Sequence, residues 1–251
     1  MGLNRNQLKN IISLDNPIKI KTQHFIENKF VDSRDAYIVD IESYCLNSKI
    51  RSIQLFDVAN KTIQFRINGD IQDKDKVLDH LKKFNVKIDF RLFDSEEKMI
   101  VDFFKFIHDN PKTIIGHNVA HFDLGLLQMK KTKYNINDVK FFSYITGSGA
   151  TNKKIFFSYV VKDKDDDSYW WKDNDKKRHL VIDTLLMAFT LKAEESDVKV
   201  ALMQLSRQAN SKYPKKNINH KVWESDILNS ESVLYACYDV LSIPDVLKYL
   251  C

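Results

Sequence analysis

Two carboxylates spaced two residues apart give the sequence its first chemical signal. Asp40 and Glu42 lie within the apolar stretch YIVDIES at residues 37–43, and its β-branched residues predict a central strand. Successive side chains of a strand point to opposite faces, so both acids project from the same face. Two buried acids repel each other and lose hydration, and a divalent cation is the expected compensation. A strand end at which both acids reach water fits the pair alone at least as well.

Other candidate site residues lie where predicted elements end or begin. Asp123 follows a short apolar strand at residues 113–115 and a polar loop that carries Asn118. Open α/β sheets place ligand sites at this carboxyl end of a strand. Tyr235 and Asp239 are four residues apart in the last predicted helix, so they project from one helical face.

These positions together supply four carboxylates and one phenol. Four converging acids require cations, and a donor set of carboxylate oxygens suits Mg²⁺ or Mn²⁺. Two such ions about 3.5–4 Å apart are a recurring device for phosphodiester hydrolysis, because they activate a water and stabilise the leaving 3′ oxygen. A tyrosine hydroxyl beside them can hold that water in line. We therefore predict a site for two divalent cations that cleaves phosphodiester bonds.

The remaining pattern predicts one α/β domain at residues 36–251, preceded by an N-terminal extension at residues 1–35. The first three strands are expected to form an antiparallel meander. Gly116 is expected to let the chain turn after its strand, and Pro244 predicts a kink or a break in the last helix. Predicted strands cover residues 37–42, 50–58, 61–67, 86–92, 113–115, 154–161 and 180–183. Predicted helices cover residues 76–84, 95–109, 184–191, 198–208 and 231–249, with another after Asp123.

An inserted β-hairpin is predicted at about residues 150–178. Gly147-Ser148-Gly149 indicates a flexible turn before its first strand, and a mixed-charge segment at residues 162–168 indicates its tip. Tyr169-Trp170-Trp171 is expected to form the returning strand. These rings could stack on unpaired bases, or they could anchor the hairpin to the domain, and the sequence favours neither alternative.

Composition restricts the partners and the compartment. The formal net charge of +5 is compatible with a polyanionic partner. Three cysteines make no disulfide framework, which predicts a reducing intracellular compartment, either cytoplasm or nucleoid, in a cellular or viral setting. No apolar stretch approaches membrane-spanning length, so we expect no membrane contact, and a nucleic acid is one partner that the basic charge would suit.

Three motifs resemble, in order, the exonuclease motifs of the DEDD 3′–5′ exonucleases. The third motif contains a tyrosine, as in the DEDDy branch of this family. Leu234 stands where the DEDDh branch has a histidine. In detail, VDIES, NPKTIIGHNVAHFD and YACYDVLSIPDVL are similar to motifs of the proofreading domain of family B DNA polymerases, and the resemblance spans roughly residues 36–250. The three motifs are Asp40-x-Glu42, Asn118-x-x-x-Phe122-Asp123 and Tyr235-x-x-x-Asp239.

This resemblance implies an RNase H-like mixed sheet flanked by helices, two-metal hydrolysis, and release of nucleoside 5′-monophosphates from DNA 3′ ends, preferably single-stranded. It implies that Tyr235 orients the attacking water and that Asn118 and Phe122 contact the substrate strand. The chain ends without palm or fingers motifs, so a stand-alone enzyme, a subunit working with a DNA polymerase or a repair protein, and a polymerase fragment all stay open. The implied metal ligands are Asp40, Glu42, Asp123 and Asp239.

Alternative functions and residue roles remain at this point. An exoribonuclease would carry the same motifs, because reading of the 2′-hydroxyl depends on pocket geometry. A non-catalytic nucleic-acid-binding or polymerase-accessory module could keep the fold. Asp183 is interpreted as a helix cap and not as a fifth metal ligand. His117 and His121 are interpreted as contacts to the substrate strand or as solvated loop residues, and not as zinc ligands. Two lysine pairs are interpreted as solvated surface and not as phosphate contacts: Lys130-Lys131 and Lys215-Lys216.

Overall fold

The computed structural model describes residues 20–21, 30–31, 35–44, 49–146, 154–162, 179–192, 200–213, 215 and 217–250. The strands are β1 (Ile20–Lys21), β2 (Phe30–Val31), β3 (Ala36–Ser43), β4 (Ile50–Asp57), β5 (Thr62–Asn68), β6 (Asp70–Ile71), β7 (Lys87–Phe93), β8 (Thr113–Gly116), β9 (Val139–Thr146), β10 (Lys154–Val161), β11 (His179–Asp183) and β12 (Ile227–Leu228). The α-helices are α1 (Lys74–Lys82), α2 (Glu96–Asp109), α3 (Asp123–Lys133), α4 (Thr184–Lys192), α5 (Leu202–Gln208) and α6 (Ser230–Leu250). A 3₁₀-helix covers His220–Glu224.

Eight strands form one mixed sheet in the order β7-β5-β4-β3-β8-β11-β10-β9. The predicted antiparallel meander is confirmed as β3, β4 and β5. Strand β8 runs parallel to both β3 and β11, so the carboxyl ends of these three strands lie at one edge of the sheet. The mixed sheet and its helices confirm the α/β class and fit the expected RNase H-like fold.

Alternation along β3 separates two hydrophobic cores on the two faces of the sheet. Ile38, which shares its face with Asp40 and Glu42, packs in a core with residues of α1, α5 and α6. Tyr37 and Val39 face the other way and pack with residues of α2 and α3. Because β3 is covered on both faces, its two acids are held between the sheet and α6.

The predicted hairpin differs from the strands that the structure contains. Strand β10 is confirmed, but it pairs along its whole length with β9, which sequence analysis missed. Its other edge pairs with β11, so β9 and β10 extend the main sheet. The predicted returning strand at Tyr169-Trp170-Trp171 lies outside the described residues.

Gly116 is required at its position by a close approach of other atoms and not by a left-handed backbone. Its backbone is not in the left-handed region. An added Cβ would lie 2.6 Å from the Val119 Cβ and 2.8 Å from the Val39 carbonyl oxygen, so glycine allows the following loop to approach β3 closely. The left-handed residue is Asn118, with φ of 61°.

Helix boundaries largely follow the predicted signals. Ser95 caps α2, its hydroxyl accepting from the Lys98 amide at 3.2 Å. Pro244 lies inside α6 and does not end the helix, so the predicted break is absent, while the alternative of a kink stays a prediction. Helix α5 begins at Leu202, later than predicted. Within the described residues, no helix is both long enough and apolar enough to span a membrane.

Candidate active site

Three acids from distant parts of the chain meet between β3 and α6. Asp40 and Glu42 come from β3, and Asp239 comes from the third turn of α6. Each offers a carboxylate oxygen, and these oxygens lie within 4.8 Å of one another. Glu42 and Asp239 are buried, whereas Asp40 is half-buried. The structure therefore brings together three of the four acids predicted as ligands.

The fourth acid, Asp123, lies beside this trio at the first residue of α3. It is 2% exposed, and it lies near the Ile41 amide of β3. Burial, followed by repulsion from Asp40, raises the pKa of Asp123. Asp123 thus faces the same strand as the trio, although it lies outside the tightest grouping.

Burial raises the pKa of each acid in this cluster. Desolvation, followed by repulsion from Asp239, raises the pKa of Asp40 to about 8. Desolvation raises the pKa of Asp239 to about 6, even though Lys215 opposes the shift. The pKa values of Glu42 and Asp123 rise well above their ordinary range for the same reasons, burial first and neighbouring carboxylates second.

The donor set fits divalent cations with a preference for oxygen ligands. One oxygen of Asp123 and one of Asp239 are buried and have no hydrogen-bond partner among the residues that the structure describes. Unpaired buried carboxylate oxygens are costly, and coordination of Mg²⁺ or Mn²⁺ would satisfy them. These residues could therefore hold such ions.

Lys215 is the functional candidate that sequence analysis missed. Its ammonium lies 2.5 Å from an Asp239 oxygen and 5.0 Å from the centre of the Tyr235 ring. Burial alone would lower the pKa of Lys215, but the charge of Asp239 beside it outweighs burial and raises it. Lys215 is therefore a permanent positive charge inside the acid cluster and not a solvated surface residue.

Two residues shortly before Lys215 anchor its loop. The Ser211 hydroxyl donates to the Asp245 carboxylate at 2.7 Å. The Tyr213 ring packs against Phe84 and Tyr238, with ring centres 5.1 and 5.8 Å apart. These contacts direct the following residues towards α6 and Asp239.

Tyr235 lies one helical turn before Asp239, as the spacing predicted. It is 9% exposed, and its ring packs against Trp223 with centres 6.3 Å apart. Burial, followed by the negative charge of Asp239, raises the pKa of Tyr235. The hydroxyl therefore stays protonated at neutral pH and can donate a hydrogen bond within the site.

The loop between β8 and α3 carries the two predicted substrate contacts. Asn118 and Phe122 are both half-buried there, and the Phe122 amide donates to the Asn118 carbonyl at 3.0 Å. Asparagine is one of the few residues that tolerates the left-handed backbone of position 118. Backbone geometry is thus one reason for asparagine at this position, and the substrate role of the side chain stays a prediction.

The neighbouring polar residues have structural contacts of their own. Asp183 caps α4, as predicted, because one of its oxygens accepts from the Leu185 amide at 2.9 Å. His117 is half-buried, with Nδ1 3.0 Å from the Thr184 hydroxyl. Burial, followed by repulsion from Lys215, lowers the pKa of His117 to about 4, so the ring is neutral. His121 is exposed.

Lys130, interpreted from the sequence as solvated, is buried in an ion pair. Its ammonium lies 2.7 Å from Glu96, the first residue of α2. The same carboxylate accepts from the Ile50 amide and the Tyr134 hydroxyl, both at 2.5 Å. The ion pair therefore joins α3 to α2, and Glu96 in turn joins α2 to β4. Lys130 is not available to a phosphate.

Comparison with known proteins agrees with this geometry. The family model described as DNA polymerase family B, exonuclease domain, matches residues 10–185. The match includes Asp40, Glu42 and Asp123 but ends before Tyr235 and Asp239, which the structure places beside them. No curated protein matches the chain significantly. The chain belongs to the family of exonuclease domains found in family B DNA polymerases.

Proposed function

We propose that the protein is a metal-dependent 3′–5′ exonuclease that hydrolyses DNA 3′ ends and releases nucleoside 5′-monophosphates. Family membership implies 3′–5′ exonuclease activity. The observation that carries the proposal is the gathering of Asp40, Glu42 and Asp239, with oxygens within 4.8 Å of one another. Such a cluster is unfavourable without cations and is suited to hydrolysis with them.

Two divalent cations, Mg²⁺ or Mn²⁺, are the proposed cofactors. Asp40, Glu42 and Asp239 would hold one ion, and Asp123 together with Asp40 would hold the second. When bound, the ions neutralise the acids, lower the pKa of water and stabilise charge on the leaving oxygen. The unpaired oxygens of Asp123 and Asp239 support this assignment.

The proposed reaction is the hydrolysis of the last phosphodiester bond. A water oxygen forms a new bond to phosphorus, the bond to the 3′ oxygen of the preceding nucleotide breaks, and that oxygen gains a proton. The Tyr235 hydroxyl, kept protonated by its surroundings, holds the water in line. Lys215 places its positive charge towards the developing negative charge of the phosphate.

Single-stranded ends are the proposed substrate. Glu42, Asp123 and Asp239 are at most 7% exposed, so a terminal phosphate must enter a narrow site to reach them. A paired duplex end is too wide to do so without fraying. Asn118 and Phe122 lie in the loop at this edge of the sheet and are the proposed contacts to the entering strand.

The decisive experiment is incubation of purified protein with a 3′-labelled single-stranded DNA oligonucleotide in Mg²⁺, Mn²⁺ or EDTA. We expect labelled mononucleotide in both metals and none in EDTA. An Asp239→Asn variant purified in the same way controls for contaminating nucleases. Failure of the native protein to release mononucleotide in either metal would contradict the proposal.

A second set of substrates tests the alternatives. A matched RNA oligonucleotide cleaved faster than DNA would assign the protein as an exoribonuclease. Binding of the single strand in Mn²⁺ without hydrolysis would indicate a non-catalytic module that works beside a polymerase.

A further inference from the structure

Asp183 makes more contacts than capping a helix requires. One of its oxygens accepts from the amides of Leu185 and Leu186 at the start of α4, at 2.9 and 3.4 Å. The same oxygen accepts from the Asn118 amide at 2.9 Å, and the other oxygen accepts from the Ala120 amide at 3.0 Å. The carboxylate is 5% exposed. Half of its hydrogen bonds therefore go to the loop that follows β8.

Thr184, the next residue, holds the beginning of the same loop. It is fully buried, and its hydroxyl donates to the Gly116 carbonyl at 3.2 Å. Since a hydroxyl has one proton, the His117 Nδ1 must be the donor in its 3.0 Å contact with the threonine oxygen. Parallel pairing of Asp183 with Gly116 places the two segments side by side.

We propose that Asp183 and Thr184 are positioning residues, a clasp that fixes residues 116–120 and thereby places Asn118 and Asp123. This role rests on the proposed exonuclease function of the site. The clasp selects one conformation of the loop, in which Asn118 has a left-handed backbone.

Backbone hydrogen bonds couple the position of residues 116–120 to the position of Asp123. The Phe122 amide donates to the Asn118 carbonyl at 3.0 Å, and the Leu124 amide donates to the Val119 carbonyl at 2.8 Å. These bonds enclose Asp123 at the start of α3. Movement of residues 118–120 would therefore move the Asp123 carboxylate relative to Asp40.

The variant Asp183→Ser separates the clasp from the helix cap. A serine hydroxyl can still cap α4, but it has one oxygen and a shorter side chain, so it cannot also reach Asn118 and Ala120. Hydrogen–deuterium exchange on the metal-free variant should be about tenfold faster at these two amides, the effect of losing one hydrogen bond at each. Exchange within α4 should stay near that of the native protein.

Ser95→Ala is the matched control, because it removes the cap of α2 and nothing near the loop. It should leave exchange at residues 118 and 120 unchanged. Mn²⁺ titration by calorimetry should give about tenfold weaker binding for Asp183→Ser and unchanged binding for Ser95→Ala. Thr184→Val, compared with Thr184→Ser, provides a smaller change if Asp183→Ser does not fold, and only the valine variant should loosen residues 116–120.

The clasp is overturned if folded Asp183→Ser exchanges the amide protons of residues 118 and 120 at the rate of the native protein. If Asp183→Ser does not fold, the same result in Thr184→Val overturns it. Exchange is measured without metal or DNA, so it is independent of nuclease activity. If the native protein is inactive but the variant shows faster exchange at residues 118 and 120, the proposed function is rejected and the clasp is supported.

Discussion

Asp40 is expected to keep its proton near neutral pH when no metal is bound, and stability should reveal this. Desolvation, followed by Asp239, raises its pKa from 3.8 to about 8. At pH 6.5 the unfolded chain has lost this proton and the folded chain has kept it. The folded state then binds more protons, so the free energy of unfolding falls as the pH rises through 8. The stabilisation is complete only below the ordinary value of 3.8.

The size of the effect follows from the two pKa values. Between pH 6.5 and 8, the titration of Asp40 alone lowers the free energy of unfolding by about 2 kcal/mol. For a chain of this length that corresponds to a fall in Tm of about 4–8 °C. The raised pKa values of Glu42 and Asp123 act in the same direction. His117 has a pKa lowered to about 4 and acts in the opposite direction below pH 6.5, which is why the window starts there.

Thermal melting in EDTA and in Mg²⁺ at pH 6.5, 7, 7.5 and 8 measures the effect. Because divalent cations bind the ionised acids, the gain in Tm on adding Mg²⁺ should grow with pH. Asp40→Asn cannot titrate at this position, so its Tm in EDTA should fall less steeply. A native Tm in EDTA that stays constant or rises over this range, or an unchanged slope in Asp40→Asn, would refute the reasoning.

The other predictions concern single side chains. Tyr235→Phe should lower kcat on single-stranded DNA by roughly tenfold, against roughly 10³-fold for Asp239→Asn, because the phenol orients water and the acid holds metal. Lys215→Met should lower kcat/KM by about 10²-fold and yet bind Mn²⁺ more tightly in calorimetry, since a competing cation is removed. Gly116→Ala should lower the free energy of unfolding in urea by about 1–3 kcal/mol, because its Cβ would meet atoms at 2.6 and 2.8 Å. Asn118→Gly should keep native stability in the same assay, since glycine adopts the left-handed backbone, and should raise KM for single-stranded DNA about tenfold if the amide contacts the strand.

Local patterns in the sequence were sufficient to predict the elements that carry the acids. Strand alternation placed Asp40 and Glu42 on one face, and helical spacing placed Tyr235 and Asp239 together. These relations are between residues close together in the chain, so the periodicity of the sequence is sufficient to predict them. That α6 packs against β3 did not follow from periodicity, and the order of the three motifs in a known family supplied that expectation.

Lys215 was missed because its position depends on contacts between residues far apart in the chain. Within its own segment it resembles any solvated lysine, next to Lys216 in a basic loop. Its burial follows from the Ser211–Asp245 hydrogen bond and from the Tyr213 ring against Phe84. Lys130 was misjudged for the same reason, because its partner Glu96 belongs to another helix.

Asn118 shows why a motif residue can have two physical causes at once. The family resemblance assigns its side chain to the substrate strand, whereas its φ of 61° would favour asparagine even without a substrate. Both causes apply to the same loop, because the Asp183 bond to the Asn118 amide fixes the backbone from which the side chain projects. A substitution that disturbs the backbone therefore cannot measure the substrate contact. Glycine can, since it can keep the left-handed conformation while the side chain is removed.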